Sequence, residues 1–162
     1  AINKTLKWAA AAAIVILAGL WWWKDAPTKQ ERLYATYYKA DPGLLTVMGP
    51  AESYQFDQAM VLYKAGKYNE AANAWTNLLQ QSGASDTLHY FIGSAWLAAE
   101  NYEKAAEALL ACAADSTSAF QKDANWFLGL IYLRQQKMGE SKKYIQQSDH
   151  PQKTALLDAI NQ

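Results

Sequence analysis

The chain has 162 residues, with 15 basic and 15 acidic side chains, one cysteine and two histidines. This length suits about one domain, and a formal net charge of zero argues against a nucleic-acid binder that relies on phosphate contacts, because such proteins need a basic excess. The single cysteine excludes an internal disulfide and a Cys-rich zinc site.

The first predicted element is an apolar segment at residues 8–23, which contains no charged side chain and has lysines on both sides. As a helix it would be about 24 Å long, slightly shorter than the ~30 Å hydrocarbon core of a bilayer. Tryptophan rings favour the membrane interface and extend the span, and they stand at both ends of the segment: Trp8, Trp21, Trp22 and Trp23. The sequence therefore predicts a short tail at residues 1–7 and a transmembrane helix at residues 8–24.

Two other interpretations of this segment are a cleaved signal peptide and a buried helix of a soluble domain. A signal peptide needs small residues before the cleavage site, whereas this run ends in three tryptophans. A soluble helix is expected to have a polar face, which the alanine-rich run lacks. Both observations favour the membrane helix.

The lysines around the segment are almost balanced, so they set its orientation only weakly. A short basic tail is most easily left in the cytoplasm, and this places the larger C-terminal part outside. We expect a single-pass protein of the bacterial inner membrane with a periplasmic domain. Ala9 and Ala13 stand four residues apart, which would let a neighbouring membrane helix approach closely, although alanine is also simply a good helix former.

A connector follows at residues 25–51. Apolar and aromatic residues spaced by three and four predict a helix within residues 28–39, and Asp41, Pro42 and Gly43 end it. The next residues include two further prolines or glycines and four large apolar side chains, which a solvated linker would not carry: Leu44, Leu45, Val47 and Met48. We therefore expect an ordered, extended connector.

An internal repeat begins near residue 52. The segment Tyr68–Ala71 recurs 34 residues later as Tyr102–Ala105, and the segment at 89–93 recurs 36 residues later at 125–129. Each unit is a helix, a short polar turn and a second amphipathic helix. Neither helix of one unit would bury its apolar face alone, so the units must stack.

This pattern resembles the tetratricopeptide repeat (TPR) family, in its bacterial membrane-anchored form. Small residues recur where helices cross closely, for example Ala59, Gly93 and Gly129, and aromatic residues recur at Tyr68 and Tyr102. The resemblance implies an all-α fold, in which a transmembrane helix precedes an α-solenoid of about three helix pairs at residues 52–150. A capping helix at residues 151–162 would follow, and the solenoid would have a concave inner groove lined by the first helix of each pair.

The resemblance also implies which side chains face this inner groove. They are Phe56, Met60, Tyr63, Tyr90, Ser94, Leu97, Trp126, Leu130, Leu133 and Arg134. The first groove position of each repeat is aromatic, namely Phe56, Tyr90 and Trp126. Rigid aromatic surfaces often carry most of the energy of a protein interface. The alternative is that these rings pack between repeats, or against the connector residues Leu44–Met48 folded into the groove.

Residues that would carry catalysis are scarce. The sequence has no Gly-rich phosphate loop, no nucleophile elbow and no histidine pair at helical spacing. His89 is expected to be a packed or half-exposed helix residue, His150 has no nearby partner in sequence, and Cys112 occupies a small-residue position typical of a buried thiol. We therefore expect no enzyme activity, no metal, no cofactor and no small-molecule substrate.

The expected function is protein binding. The Lys and Asn set with which some TPR domains hold a peptide carboxylate is missing from the groove positions, so the expected ligand is an apolar helix or an extended segment of another protein. The leading hypothesis is an accessory or scaffold subunit of a larger membrane complex, with the lipid bilayer and other subunits as partners. The alternative is a free-standing anchored adaptor or chaperone for exported proteins near the translocon.

Overall fold

The computed structural model describes residues 26–45, 54–83 and 85–162. The described residues form eight helices and no strand, so the all-helical prediction is confirmed for this part of the chain. The helices are α1 (Lys29–Tyr37), α2 (Tyr54–Lys64), α3 (Tyr68–Ser82), α4 (Asp86–Ala98), α5 (Tyr102–Ala114), α6 (Gln121–Arg134), α7 (Met138–Gln147) and α8 (Lys153–Asn161).

Helices α2 to α7 form three consecutive pairs, as the repeat predicts. Helix α2 packs on α3, α4 on α5 and α6 on α7, while α3 contacts α4 and α5 contacts α6 to join the pairs. The crossings in the second and third pairs are equally close. A Cβ atom built on Gly93 would lie 2.5 Å from Leu109 Cγ, and one built on Gly129 would lie 2.5 Å from Ile145 Cγ1. Glycine at these crossings is therefore required by packing.

The turn inside each pair has the same geometry three times. In the first turn, the Lys67 amide donates to the Leu62 carbonyl and the Gly66 amide to the Tyr63 carbonyl. The same two bonds recur around Glu100 and around Gln136. All three central residues have a positive φ, between 59° and 76°, which is the left-handed ending typical of helices. The third pair is therefore a true repeat, although its sequence is the most divergent.

Helices α8 and α1 complete the described fold. Helix α8 contacts α7 and buries Leu156 completely, as a capping helix should. Helix α1 contacts α6 and α8, so the segment that precedes the repeats in sequence packs against the last of them.

The predicted membrane helix lies outside the described residues, as do Trp8, Trp21, Trp22, Trp23, Ala9 and Ala13. Of the eight described helices, none has the length and apolar character needed to span a bilayer. The tail at residues 1–7 and the connector residues 46–53 also lie outside the described ranges.

Candidate protein-binding site

The inner groove is occupied by a segment of the chain itself, residues 28–43, which we call the strap. Its helix α1 packs against α6. Further along, Asp41 is hydrogen-bonded to Tyr63 of α2 and to Tyr90 of α4. The strap therefore crosses the first helices of all three pairs, and it runs from the last pair towards the first.

The strap begins with a capping box that also makes an ion pair. The Glu31 amide donates to Thr28 Oγ1 (3.2 Å), and the Thr28 amide donates to Glu31 Oε2 (2.8 Å). The other carboxylate oxygen of Glu31 accepts a hydrogen bond from the Arg134 guanidinium at the end of α6. The Thr28 amide, together with the charge of Arg134, lowers the pKa of Glu31 below its ordinary value. One carboxylate thus both starts helix α1 and attaches it to the third repeat.

Two of the three tyrosines in the strap stack on each other. The rings of Tyr34 and Tyr38 stack with centroids 5.1 Å apart. Tyr34 contacts Tyr102 edge-on (5.9 Å), and Tyr38 contacts Phe127 in the same way (6.3 Å). Burial raises the pKa of both strap phenols far above the ordinary value of tyrosine. They therefore remain neutral, as expected of rings whose main role is packing.

Asp41 makes three hydrogen bonds where the strap crosses the first and second repeats. Its Oδ2 accepts from the Tyr90 hydroxyl (2.7 Å), its backbone carbonyl accepts from the Tyr63 hydroxyl (2.8 Å), and its Oδ1 accepts from the Gly43 amide (2.7 Å). Burial and the nearby carboxylate raise the pKa of both tyrosines strongly, so each phenol keeps the proton that it donates. Asp41 therefore satisfies two hydroxyl groups at the floor of the groove.

The structure brings the predicted groove residues together, but it leaves few of them accessible. Eight of the ten are buried, namely Met60, Tyr63, Tyr90, Ser94, Leu97, Trp126, Leu130 and Leu133. Phe56 is half-buried and packs between Trp75 and Phe91 within the repeats, and Arg134 is paired with the strap. The prediction that these residues bind a partner stays a prediction.

The alternative in which the connector residues Leu44–Met48 fill the groove does not hold for Leu44 and Leu45, the two of them that the structure describes. Leu45 is 89% exposed and Leu44 is 42% exposed, because Gly43 adopts a left-handed φ of 75° directly before them and the strap already occupies the groove floor through Asp41. Val47 and Met48 lie outside the described residues.

Gly43 provides a test of how the strap is held. A side chain there would strain the left-handed backbone by about 1–2 kcal/mol, and its Cβ would lie 2.6 Å from Met60 Sδ. We expect Gly43→Ala to accelerate trypsin cleavage after Lys39, an exposed strap residue, by about tenfold. Gly66→Ala is the control, since Gly66 has a similar φ but no atom within 4 Å of its Cβ position. It should leave strap cleavage unchanged, and equal acceleration in both variants would contradict the prediction.

A small cavity of about 220 Å³, with both apolar and polar walls, lies between the strap, helices α4 and α6, and the turn before α8. Its walls include Ala40 and Pro42 of the strap and Trp126 of α6. The imidazole of His150 stacks on Trp126, with ring centroids 3.8 Å apart. This environment lowers the pKa of His150, first through burial and then through the positive charge of Lys39, while Asp123 acts in the opposite direction.

The pKa of His150 should therefore report whether the strap is docked. We expect Lys39→Gln to raise this pKa and Asp123→Asn to lower it further, in an NMR titration of the imidazole. Since the folded-state pKa lies below the unfolded value of about 6.5, the contribution of His150 to stability is present above that pH. It is lost as the pH falls through the folded-state pKa. Asp57→Asn, in α2, should leave the titration unchanged because Asp57 is not among the charges that act on His150, and identical curves for all variants would contradict this assignment.

A second depression, of about 380 Å³, lies between α3, α4 and α5. Trp96 and His89 line it, and the Lys104 ammonium sits 4.3 Å from the centroid of the Trp96 indole. Cys112 is buried, and burial raises the pKa of its thiol, as expected for a structural rather than a reactive cysteine. Within the described ranges, no group of three or more potential metal ligands is arranged to hold an ion.

The helix pairs have a counterpart in a known protein family. Residues 56–119 match the tetratricopeptide repeat family. The match covers almost all of α2 to α5, the two pairs whose sequences are most regular, and tetratricopeptide repeats generally bind other proteins. The third pair lies beyond the match but shares its turn geometry and glycine crossing with the second. No curated protein and no solved structure matches the chain.

Sequence reasoning missed the role of the strap. It predicted a helix near residues 28–39 but did not place that helix in the groove. The available signal was the combination of two tyrosines four residues apart with an acidic residue shortly after them, beside a groove that is rich in tyrosine. What could not be foreseen is which groups would meet, because the contact of Glu31 with Arg134 joins residues 103 apart in sequence.

Proposed function

We propose that this chain is a non-catalytic, membrane-anchored interaction subunit of a larger protein complex. The observation that carries the proposal is that the inner groove of its tetratricopeptide repeats already holds a peptide segment, residues 28–43 of the same chain. A surface that orders a helix and an extended turn through aromatic rings, one ion pair and tyrosine hydroxyls has the chemistry needed to bind a segment of another protein.

The membrane part of the proposal rests on the sequence of residues 8–24. The apolar run with tryptophans at both ends supports a single-pass anchor in a bacterial inner membrane, with the repeats on the periplasmic side. Ala9 and Ala13 support close packing of this helix against a helix of a neighbouring subunit.

The test is gentle detergent extraction of the tagged full chain, followed by identification of proteins that co-purify at a fixed ratio. We expect Ala9→Leu with Ala13→Leu to reduce recovery of the partner, because larger side chains prevent close helix packing. At 100° per residue, Ala11 and Ala18 would lie on the opposite face of the same helix, so Ala11→Leu with Ala18→Leu is a matched control that should keep the partner.

Two outcomes would count against an accessory subunit. If no partner co-purified at a fixed ratio, the proposal of a stable complex would be refuted. Variable, client-dependent crosslinks would instead favour the anchored adaptor for exported proteins. Orientation is tested separately by protease protection in spheroplasts. Digestion of the repeats only after the inner membrane is opened would refute a periplasmic location.

A further inference from the structure

The strap is much less buried than the repeat helices that it crosses. Among residues 26–45 only Tyr34 is buried, at 9% exposure. Helices α4 and α6 each bury nine residues, many of them completely. Segments with few buried apolar contacts open locally at a small free-energy cost, without unfolding the rest of the protein. The strap should therefore leave the groove far more often than the repeats unfold.

The floor of the groove dictates what could replace the strap. If the strap left and an entirely apolar segment took its place, the buried hydroxyls of Tyr63 and Tyr90 would lose the oxygen atoms of Asp41 that now accept their hydrogen bonds. Each such loss would weaken binding of that segment by about tenfold or more. A competing segment must therefore supply acceptors at this point, and a carboxylate is the strongest. Arg134, at the other end of the groove, would need a second carboxylate to replace its ion pair with Glu31.

Between these two polar ends the groove accepts aromatic rings. Tyr34 of α1 and Tyr38, which directly follows this helix, contact Tyr102 and Phe127. A competing segment with aromatic side chains at the same spacing would make the same edge contacts. From its N-terminus to its C-terminus, a competing segment therefore needs an acidic residue, an aromatic pair and a second acidic residue, in the same chain direction as residues 31–41.

The strap does not fill its own site completely. The cavity of about 220 Å³ borders Ala40 and Pro42, whose side chains are small, and Tyr90 and Trp126 form its opposite wall. A segment with a large side chain at the position of Ala40 would fill this space and gain packing that the strap lacks. It would need that gain, because a tethered strap faces the groove at an effective concentration of about 1 mM.

We propose that the strap is an intramolecular ligand that keeps the inner groove closed until a partner segment with two carboxylates around an aromatic pair displaces it. This inference rests on the proposed function, since it names the partner chemistry of the same groove. The expected partner segment is a short helix with acidic and aromatic side chains that ends in an extended turn.

The test uses the full chain in detergent and a labelled synthetic peptide of residues 26–45. The chain variant Tyr38→Ala with Asp41→Ala weakens the strap, so the peptide should bind it at least about tenfold more tightly than it binds the wild type. Tyr54→Ala with Asp158→Ala removes one tyrosine and one aspartate from exposed positions outside the strap, and it should bind the peptide as the wild type does. A peptide with Ala40→Trp should bind more tightly than the natural sequence.

A charge exchange tests the register. Arg134→Glu in the weakened chain should reduce binding of the natural peptide by about tenfold, and a peptide with Glu31→Lys should restore it. Restoration requires that the peptide occupies the groove in the same direction as the strap. Binding that ignores the charge exchange would overturn the proposal.

A further measurement keeps the proposal testable if the weakened chain does not fold. In the wild type, amides of α1 should exchange hydrogen faster than those of α4 and α6, and excess peptide should accelerate exchange of α1 alone. Equal peptide binding to wild type and folded weakened chain, no binding to either, or exchange of straps between two copies to form a dimer would each overturn the proposal. The peptide is synthetic, so failure to find a natural partner leaves these outcomes interpretable.

Discussion

Replacing Trp75 by alanine is expected to lower the free energy of unfolding by about 3–5 kcal/mol, the largest effect foreseen for a single substitution here. Trp75 is completely buried in α3. Its ring contacts Tyr63 and Phe91 at centroid distances of 5.8 and 5.6 Å, and its indole N–H donates to the Phe56 carbonyl at 3.2 Å. Alanine would leave a cavity in the first repeat and remove the hydrogen bond between its two helices.

The measurement is urea unfolding followed by circular dichroism. Trp75→Phe is the control, because it keeps most of the ring contacts and loses the N–H bond, so its cost should be clearly smaller. Trp75 also supports Tyr63, which holds the strap carbonyl of Asp41. Trp75→Ala should therefore increase trypsin cleavage of the strap as well. A loss of less than 1 kcal/mol would mean that the first repeat contributes little to the folded core.

Replacing Gly129 by alanine is expected to destabilise the protein by about 2–3 kcal/mol, near the upper end for overpacking. The added Cβ would lie 2.5 Å from Ile145 Cγ1, 3.1 Å from the Ile145 amide nitrogen and 3.3 Å from the Ser141 carbonyl oxygen. Two of these neighbours are backbone atoms, so α7 itself would have to move. That shift would also disturb the buried hydrogen bond from the Ser141 hydroxyl to the Gly129 carbonyl, now 2.9 Å long.

Gly139→Ala is the matched control for this substitution. Gly139 lies in the first turn of α7, and no atom lies within 4 Å of its Cβ position. Alanine there restricts the unfolded chain without a clash, so stability should rise by about 0.4–1 kcal/mol. We therefore expect the midpoint of urea unfolding to fall for Gly129→Ala and to rise for Gly139→Ala, although the two positions are only ten residues apart. A loss of stability in both would show that the close crossing is not the cause.

The sequence predicted the features of this fold that arise from local patterns. The spacing of Tyr68 and Tyr102, and of Gly93 and Gly129, indicated the helix pairs and their close crossings, because residues that recur at a fixed period occupy equivalent places in a stack. Burial of Cys112 followed from the same register. These features depend on neighbouring helices and are visible to a repeat pattern.

The occupied groove could not be predicted in this way. The strap has no counterpart in the repeat, and its contacts join Asp41 to Tyr90 and Glu31 to Arg134 across long stretches of chain. One alternative drawn from the sequence placed the apolar residues Leu44–Met48 in the groove, whereas the strap that occupies it makes polar contacts through Asp41. Hydrophobicity alone gives no information on which buried hydroxyls need acceptors.

The direction of the strap has a mechanical consequence. The chain reaches the repeats at α6 and α8 and only then runs back towards α2, so a pull through residue 25 would load the contact of Glu31 with Arg134 first. The contacts of Tyr34, Tyr38 and Asp41 would follow one at a time, as in peeling rather than shearing. Sequential rupture needs much less force than breaking all contacts together. If the chain were held through the residues before the strap, tension would detach the strap while α2 to α8 stayed folded.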